Sequence, residues 1–179
     1  SFPLLVRIVD KARWSLAWLW RGMLYRTTII AITGSVGKTT TKEFLSKILA
    51  AFYPTIATFD TDNGTVGLPK SILKIRPWHR YAVLEAATGK PGDLEKQAAL
   101  IRPDAAVILN VLPVHIRKFD TLAAIQKEKG ELAAAVGKDG WVLLNGDDPH
   151  VRGMKERCRS KIFWFGSQEP GSFRAEHIS

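Results

Sequence analysis

Residues 31–50, AITGSVGKTTTKEFLSKILA, place two glycines, a lysine and a run of threonines between a β-branched stretch and an amphipathic one. Gly37, Lys38 and Thr39 fill the last three places of the phosphate-loop pattern G-x-x-x-x-G-K-[ST], while Ile32 stands at its first glycine and the nearest glycine, Gly34, comes two residues late. The chemistry is that of a phosphate cradle. Gly37 lets the backbone approach an anion closely, and the N–H groups of Ser35, Val36, Gly37, Lys38, Thr39 and Thr40 open a helix at its positive end. Lys38 adds a charge, and the Thr39 hydroxyl is suited to Mg²⁺. A nucleoside triphosphate is the expected ligand; the competing reading is a glycine turn capping an ordinary helix.

Other polar residues stand where apolar runs end. Glu85 lies near the end of YAVLEAA, Asn110 and then His115 follow AAVILNV, and Asn145, Asp147 and Asp148 follow WVLLN. In an open α/β sheet ligands bind beyond the carboxyl ends of the strands, so these loops are expected to converge on one crevice. A carboxylate and an imidazole beside phosphates would serve Mg²⁺ directly or through water, although Mg²⁺ prefers oxygen. Taken singly, Glu85 reads equally well as a member of a buried ion pair, His115 as a loop residue and Asn145-Gly146 as a turn.

The elements that must position these residues are legible as alternation. Apolar runs at 27–33, 55–59, 81–87, 105–111, 141–145 and 161–165 read as strands. Phe44, Leu45, Ile48, Leu49 and Phe52 share a helical face, and 94–101 and 122–136 read as further helices. The expected fold is α/β, a mainly parallel sheet with helices on both faces, of phosphate-loop NTPase type. At 179 residues, 46% hydrophobic and 24% charged, one domain is the default over 27–179. The single Cys158 excludes an internal disulfide and fits a cytoplasmic location. The net charge of +9 is scattered along the chain with no finger or RNA-recognition signature, so no specific nucleic-acid partner is expected.

Residues 1–26 differ. Arg7, Lys11, Trp14, Trp18 and Arg21 form one helical stripe and Leu5, Ile8, Ala12, Leu16 and Leu19 another. Charges interrupt the apolar run well short of the roughly 18 residues a membrane span needs. Two readings stay open: a helix packed on the domain or a neighbour, and an interfacial helix contacting the inner face of a membrane.

Five ordered motifs, TGSVGKTTTKE, VLEAATGKPGDL, RPDAAVILNVLPVHI, QKEKGEL and VLLNGDDP, resemble the central ATP-binding domain of the Mur ligases, most closely the branch adding D-alanyl-D-alanine to a UDP-muramoyl tripeptide of peptidoglycan. The resemblance covers about residues 28 to 178. It implies ATP and Mg²⁺, an acyl phosphate made from a carboxylate donor, and attack by an amine acceptor. It also implies that the 34–40 loop with Lys38 holds the phosphates, that Thr39, Glu85 and His115 serve the metals, and that Lys129 is carbamylated near the second Mg²⁺. Asn145, with Asp147 nearby, matches the adenine contact, and Asn63 an asparagine pair whose second member is here Gly64. Ala87, Gly89 and Leu112 depart from the family pattern on the substrate side. The family flanks this domain with one for the UDP-sugar and one for the amine; neither is visible, and the chain is expected to be cut before the latter. A Mur-like ligase of another pathway, such as poly-γ-glutamate synthesis, and a non-catalytic nucleotide-binding module are the alternatives.

Overall fold

A computed structural model describes residues 2–58, 64–113, 116–167 and 173–174. Strands β1 (Thr28–Thr33), β2 (Thr55–Ala57), β3 (Tyr81–Glu85), β4 (Ala105–Ile108), β5 (Trp141–Asn145), β6 (Lys161–Gly166) and β7 (Phe173–Arg174) form one sheet in the order β2-β3-β1-β4-β5-β6-β7. Every pairing is parallel. The inner strands are near-continuous apolar runs because both faces are covered. β1 lies between β3 and β4, with Ile32 opposite both Glu85 and Val107. The carboxyl ends of these three strands therefore finish at one level, where the chain order diverges and a crevice opens.

One sheet face carries the larger core. Helices α1 (Phe2–Met23), α3 (Gly67–Lys74), α4 (Asp93–Ile101), α6 (Leu122–Ala134) and α7 (Pro149–Arg152) cover Ile29, Ala31, Leu84, Ile108 and Leu144 there. A short α5 (Ile116–Phe119) precedes α6. On the opposite face, Leu45 and Leu49 of α2 (Lys38–Ala50) pack on Ile30, Ile32, Val83 and Val107. The expected five-residue apolar face of α2 is thus divided: Phe44, Ile48 and Phe52 are exposed. Local chemistry sets the helix starts. Thr121 accepts from Ala124 N to open α6, and Asp148 accepts from His150 N and Val151 N ahead of Pro149 in α7. Helix α3 escaped the periodicity reading because it is short and carries Pro69 in its first turn, where a missing N–H costs little.

Helix α1 packs on α3 and α4. Ala17 and Leu24, which follows the helix, enter the core; Trp14 Nε1 donates to Thr65 O at 2.8 Å and Trp20 Nε1 to Ile75 O at 2.9 Å. Arg21 donates to the carbonyls of Ile101 and Arg102 at 2.6 Å and pairs with Asp104 at 3.4 Å. No helix among the described residues is long and apolar enough to cross a membrane.

Candidate phosphate and metal site

The loop between β1 and α2 is held by sterics on one side and hydrogen bonds on the other. A Cβ at Gly34 would lie 2.8 Å from Leu109 Cβ, so only glycine lets the loop press against the end of β4. Gly37 takes φ +81, a left-handed turn that aims the first turn of α2 back at the loop. Asn110 Oδ1 accepts from Ser35 N and Val36 N, and Asn110 Nδ2 donates to Val36 O at 3.2 Å. Ser35 Oγ also accepts from Leu112 N at 2.8 Å. The expectation that Ser35 and Val36 offer free N–H groups is thereby narrowed. Among the described residues no side chain caps α2, so the donors that suit an anion are the N–H groups of its first turn, at Lys38, Thr39 and Thr40.

Lys38 Nζ folds back onto Gly34 O at 3.0 Å and Ser35 O at 3.3 Å, placing its charge over the loop. Thr39 Oγ1 donates to Glu85 Oε2 at 2.9 Å, so the hydroxyl after the lysine and the carboxylate at the end of β3 face one another. Both are oxygen ligands. They fit Mg²⁺, which binds few protein groups and keeps water and phosphate oxygens as its other ligands. The described residues contain no cluster of three or more His, Cys, Asp or Glu that would hold a metal by itself.

Lys129 on α6 is buried, and so is its neighbour Glu128. Burial, together with the Lys38 charge, pushes the Lys129 amine down from an ordinary lysine value to about 8, opposed by Glu128. Glu128 accepts from Gly92 N and Leu94 N at 2.8 Å and from Thr88 Oγ1 at 3.1 Å, capping α4 from another helix. The charged run QKEKGEL is therefore not solvated at its centre, where Glu128 and Lys129 are buried. Toward its end, Glu131 pairs with Arg157 at 2.8 Å.

Asn145 and Asp147 lie two strands from the loop. Asn145 Nδ2 donates to Leu109 O at 2.8 Å and its Oδ1 accepts from Asp147 N; Asp147 Oδ2 accepts from Ser167 N and Ser167 Oγ. Asp148 Oδ2 accepts from Val111 N at 2.7 Å, tying α7 to the loop after β4. His115 and Asn63 lie outside the described residues. Sequence reasoning noticed Asn110 at a strand end without giving it a role, and it missed Lys42 and Glu128 altogether. Nothing in a charged helical run announces which member is buried.

The sequence profile described as the Mur ligase middle domain matches residues 32–179. The UDP-N-acetylmuramoyl-tripeptide–D-alanyl-D-alanine ligase of Escherichia coli K12 is 33% identical over 136 residues, 76% of this chain and 30% of that protein. The corresponding ligase of Mycobacterium leprae is 35% identical over 135 residues, 75% of this chain and 26% of that protein. Among solved structures, MurF from Acinetobacter baumannii superposes with a TM-score of 0.86 at 31% identity, covering 92% of this chain and 36% of that one. MurF ligase from Thermotoga maritima in complex with ADP gives 0.82 at 32% identity, covering 90% and 37%. The chain spans about a third of the length of the curated relatives it matches. With its motifs in order on the matching fold, the chain belongs to the Mur ligase family through that family's middle domain.

Proposed function

We propose that this chain is the ATP-binding unit of an ATP-dependent amide ligase that works through an acyl phosphate, with peptidoglycan precursor synthesis in the cytoplasm as its setting. The observation that carries the reading is the Thr39–Glu85 contact at the ends of β1 and β3 beneath the Lys38 charge, with the buried Lys129 amine of α6 within electrostatic reach of Lys38. The relatives named above support it: two are UDP-N-acetylmuramoyl-tripeptide–D-alanyl-D-alanine ligases, and one MurF was solved with ADP.

In this reading a donor carboxylate oxygen attacks the γ-phosphorus and ADP leaves. An amine then attacks the acyl carbon, inorganic phosphate leaves and the amine loses a proton. The first turn of α2 and Lys38 hold the phosphate oxygens as negative charge moves toward the leaving group. When bound through Thr39 and Glu85, with His115 as a further ligand, Mg²⁺ supplies charge neutralisation. Lys129, as a neutral amine, adds CO₂ and releases a proton, becoming a carbamate anion beside Lys38. Asn145, Asp147 and Asn63 are assigned to the nucleotide, and UDP-muramoyl tripeptide and D-alanyl-D-alanine are the donor and acceptor.

Calorimetry with Mg·ATP on the wild-type chain and on Lys38→Ala tests the reading. Binding that Lys38→Ala weakens at least tenfold is expected; no binding by the wild type would overturn it. Mass spectrometry of product made from UDP-muramoyl tripeptide and D-alanyl-D-alanine, against glutamate chains, separates peptidoglycan from poly-γ-glutamate chemistry.

The outer face of α1 is assigned to an anionic bilayer surface. Ile8, Leu16, Leu19 and Met23 follow one another at helical spacing and are each more than half exposed. Lys11 and Arg26 are exposed at its margins, Arg102 stacks on Trp18, and the one acid of the helix, Asp10, is taken by Arg13. An apolar stripe with cationic edges and no free acid complements anionic headgroups.

A further inference from the structure

A lysine that the mechanism does not use is among the largest fully buried side chains. Lys42 lies one helical turn beyond Lys38 in α2 with 1% of its surface exposed. Burying an ammonium is costly unless it is matched by hydrogen bonds and charge, so an apolar residue would ordinarily fill such a place. The Lys42 ammonium donates to Thr58 O at 2.8 Å and pairs with Glu43 at 3.1 Å. Thr58, the residue after β2, is itself 2% exposed; its N–H donates to Val83 O, and its Oγ1 accepts from Glu85 N at 3.1 Å. Glu85 Oε2 in turn accepts from Thr39 Oγ1.

These contacts close a ring. From Thr39 the path runs to Glu85, to Thr58, to Lys42 and back along three residues of α2 to Thr39. We infer that Lys42 is a positioning residue for the cation site: by clamping Thr58 against α2 it fixes Glu85 at the end of β3 relative to Thr39. The inference rests on the Mg·ATP reading above. Without the clamp the Thr58 carbonyl is left buried without this donor, and the backbone around Thr58 and Glu85 can settle at another separation from α2. The spacing of two oxygen ligands matters for Mg²⁺ because it demands near-ideal octahedral geometry. Phosphate held by Lys38 and the first turn of α2 does not depend on that spacing.

The test compares wild type, Lys42→Met, Thr58→Val, the double variant and Glu43→Gln. Nucleotide affinity is measured by calorimetry with ATP in Mg²⁺ and with ATP in EDTA, beside thermal melts. Lys42→Met is expected to lose about tenfold in Mg·ATP affinity and less than twofold in metal-free ATP affinity, the gap expected of coupling through one or two contacts. Thr58→Val removes the acceptor of Glu85 N and should show the same split, and the double variant should be no worse than either single one. Glu43→Gln should match wild type. Equal losses with and without Mg²⁺, or a folded Lys42→Met with unchanged Mg·ATP affinity, would overturn the inference. If Lys42→Met does not fold, Thr58→Val decides by the same comparison. A wild type that binds no nucleotide would sink the functional reading and this inference with it, whereas unchanged variants beside a binding wild type sink the inference alone.

Discussion

The side-chain oxygen of Asn110 accepts from Ser35 N at 2.8 Å, joining the end of β4 to the phosphate loop as though Asn110 were part of the loop itself. A second bond from Val36 N and the return bond to Val36 O make the link rigid. Asn110→Ala leaves Val36 N to water and Ser35 N with only the backbone carbonyl of position 110, at 3.1 Å. We expect a stability loss of about 1 kcal/mol, read by urea titration, and a several-fold loss of ATP affinity as the loop ceases to be preformed. Unchanged affinity would show that the loop is ordered by Gly34 packing alone.

Lys38→Ala removes the cation that lies over the loop carbonyls. A charge-assisted bond to phosphate is worth about 1.5–3 kcal/mol, so ATP affinity should fall at least tenfold with little change in melting temperature. Because Lys38 also depresses the Lys129 amine, the same variant should raise the Lys129 pKa. A lysine-resolved NMR titration reads that shift directly.

Glu128→Gln tests a different link. The carboxylate serves Thr88 Oγ1, Gly92 N and Leu94 N, three donors from the loop before α4 and its first turn, 34 to 40 residues away in sequence. An amide keeps the shape but presents a donor where an acceptor is needed. Loss of about 1–3 kcal/mol is expected from buried groups left without partners. Hydrogen exchange should localise the added opening to the start of α4.

The strands and the phosphate loop were legible because their signals are local: β-branched runs end in glycines and acids, and the parallel order follows from their alternation with helices. Strand ends were read too long, as at 81–87 and 105–111, because Ala86, Ala87, Leu109 and Val111 extend the apolar pattern after the ladder has stopped at Glu85 and Ile108. What could not be read was the partner of each polar residue. Lys42, Glu128 and Asn110 act through groups 16 to 75 positions away, and only the strand order β3-β1-β4 brings those together. Trp14 and Arg21 of the first stripe pack against the body while Trp18 stays exposed; the facing of α1 depends on α3, which periodicity did not reveal.

For α1, removing the helix would strip the core of Ala17 and the packing of Trp14 and Trp20, so outward substitutions make the better comparison. Leu16→Glu with Leu19→Glu places acids on the exposed stripe and should leave the melting temperature within a few degrees. Wild type is expected to pellet with phosphatidylglycerol vesicles, to release as salt rises and to ignore phosphatidylcholine, while the double variant stays in solution. Equal pelleting would remove the bilayer assignment. A concentration-dependent dimer lost in the variant would assign the face to a second copy instead.

Lys129 yields the most demanding expectation, because its physical state and its proposed chemistry have the same origin. The amine has a pKa of about 8 in the folded chain against about 10.4 when unfolded. Below pH 8 both states hold the proton, and the folded state bears the full cost of a buried charge near Lys38. Between about 8 and 10.4 the unfolded chain holds more protons, so this residue makes stability rise with pH across that window. Lys129→Met should therefore be more stable than wild type at pH 7, by on the order of 1–3 kcal/mol, with the difference shrinking toward pH 10. Urea titrations of both proteins at pH 7, 8.5 and 10 check the sign; Glu128, which opposes the shift, is common to both. The same destabilised ammonium is what favours the neutral amine that captures CO₂, and the carbamate replaces a repelled cation with an anion that Lys38 attracts. Wild type in bicarbonate-depleted buffer should then lose ATP hydrolysis, and Lys129→Ala should be nearly inactive but partly restored by acetate or formate, whose carboxylate fills the vacated place. Full hydrolysis by unsupplemented Lys129→Ala would take Lys129 out of the mechanism and leave only its cost to folding.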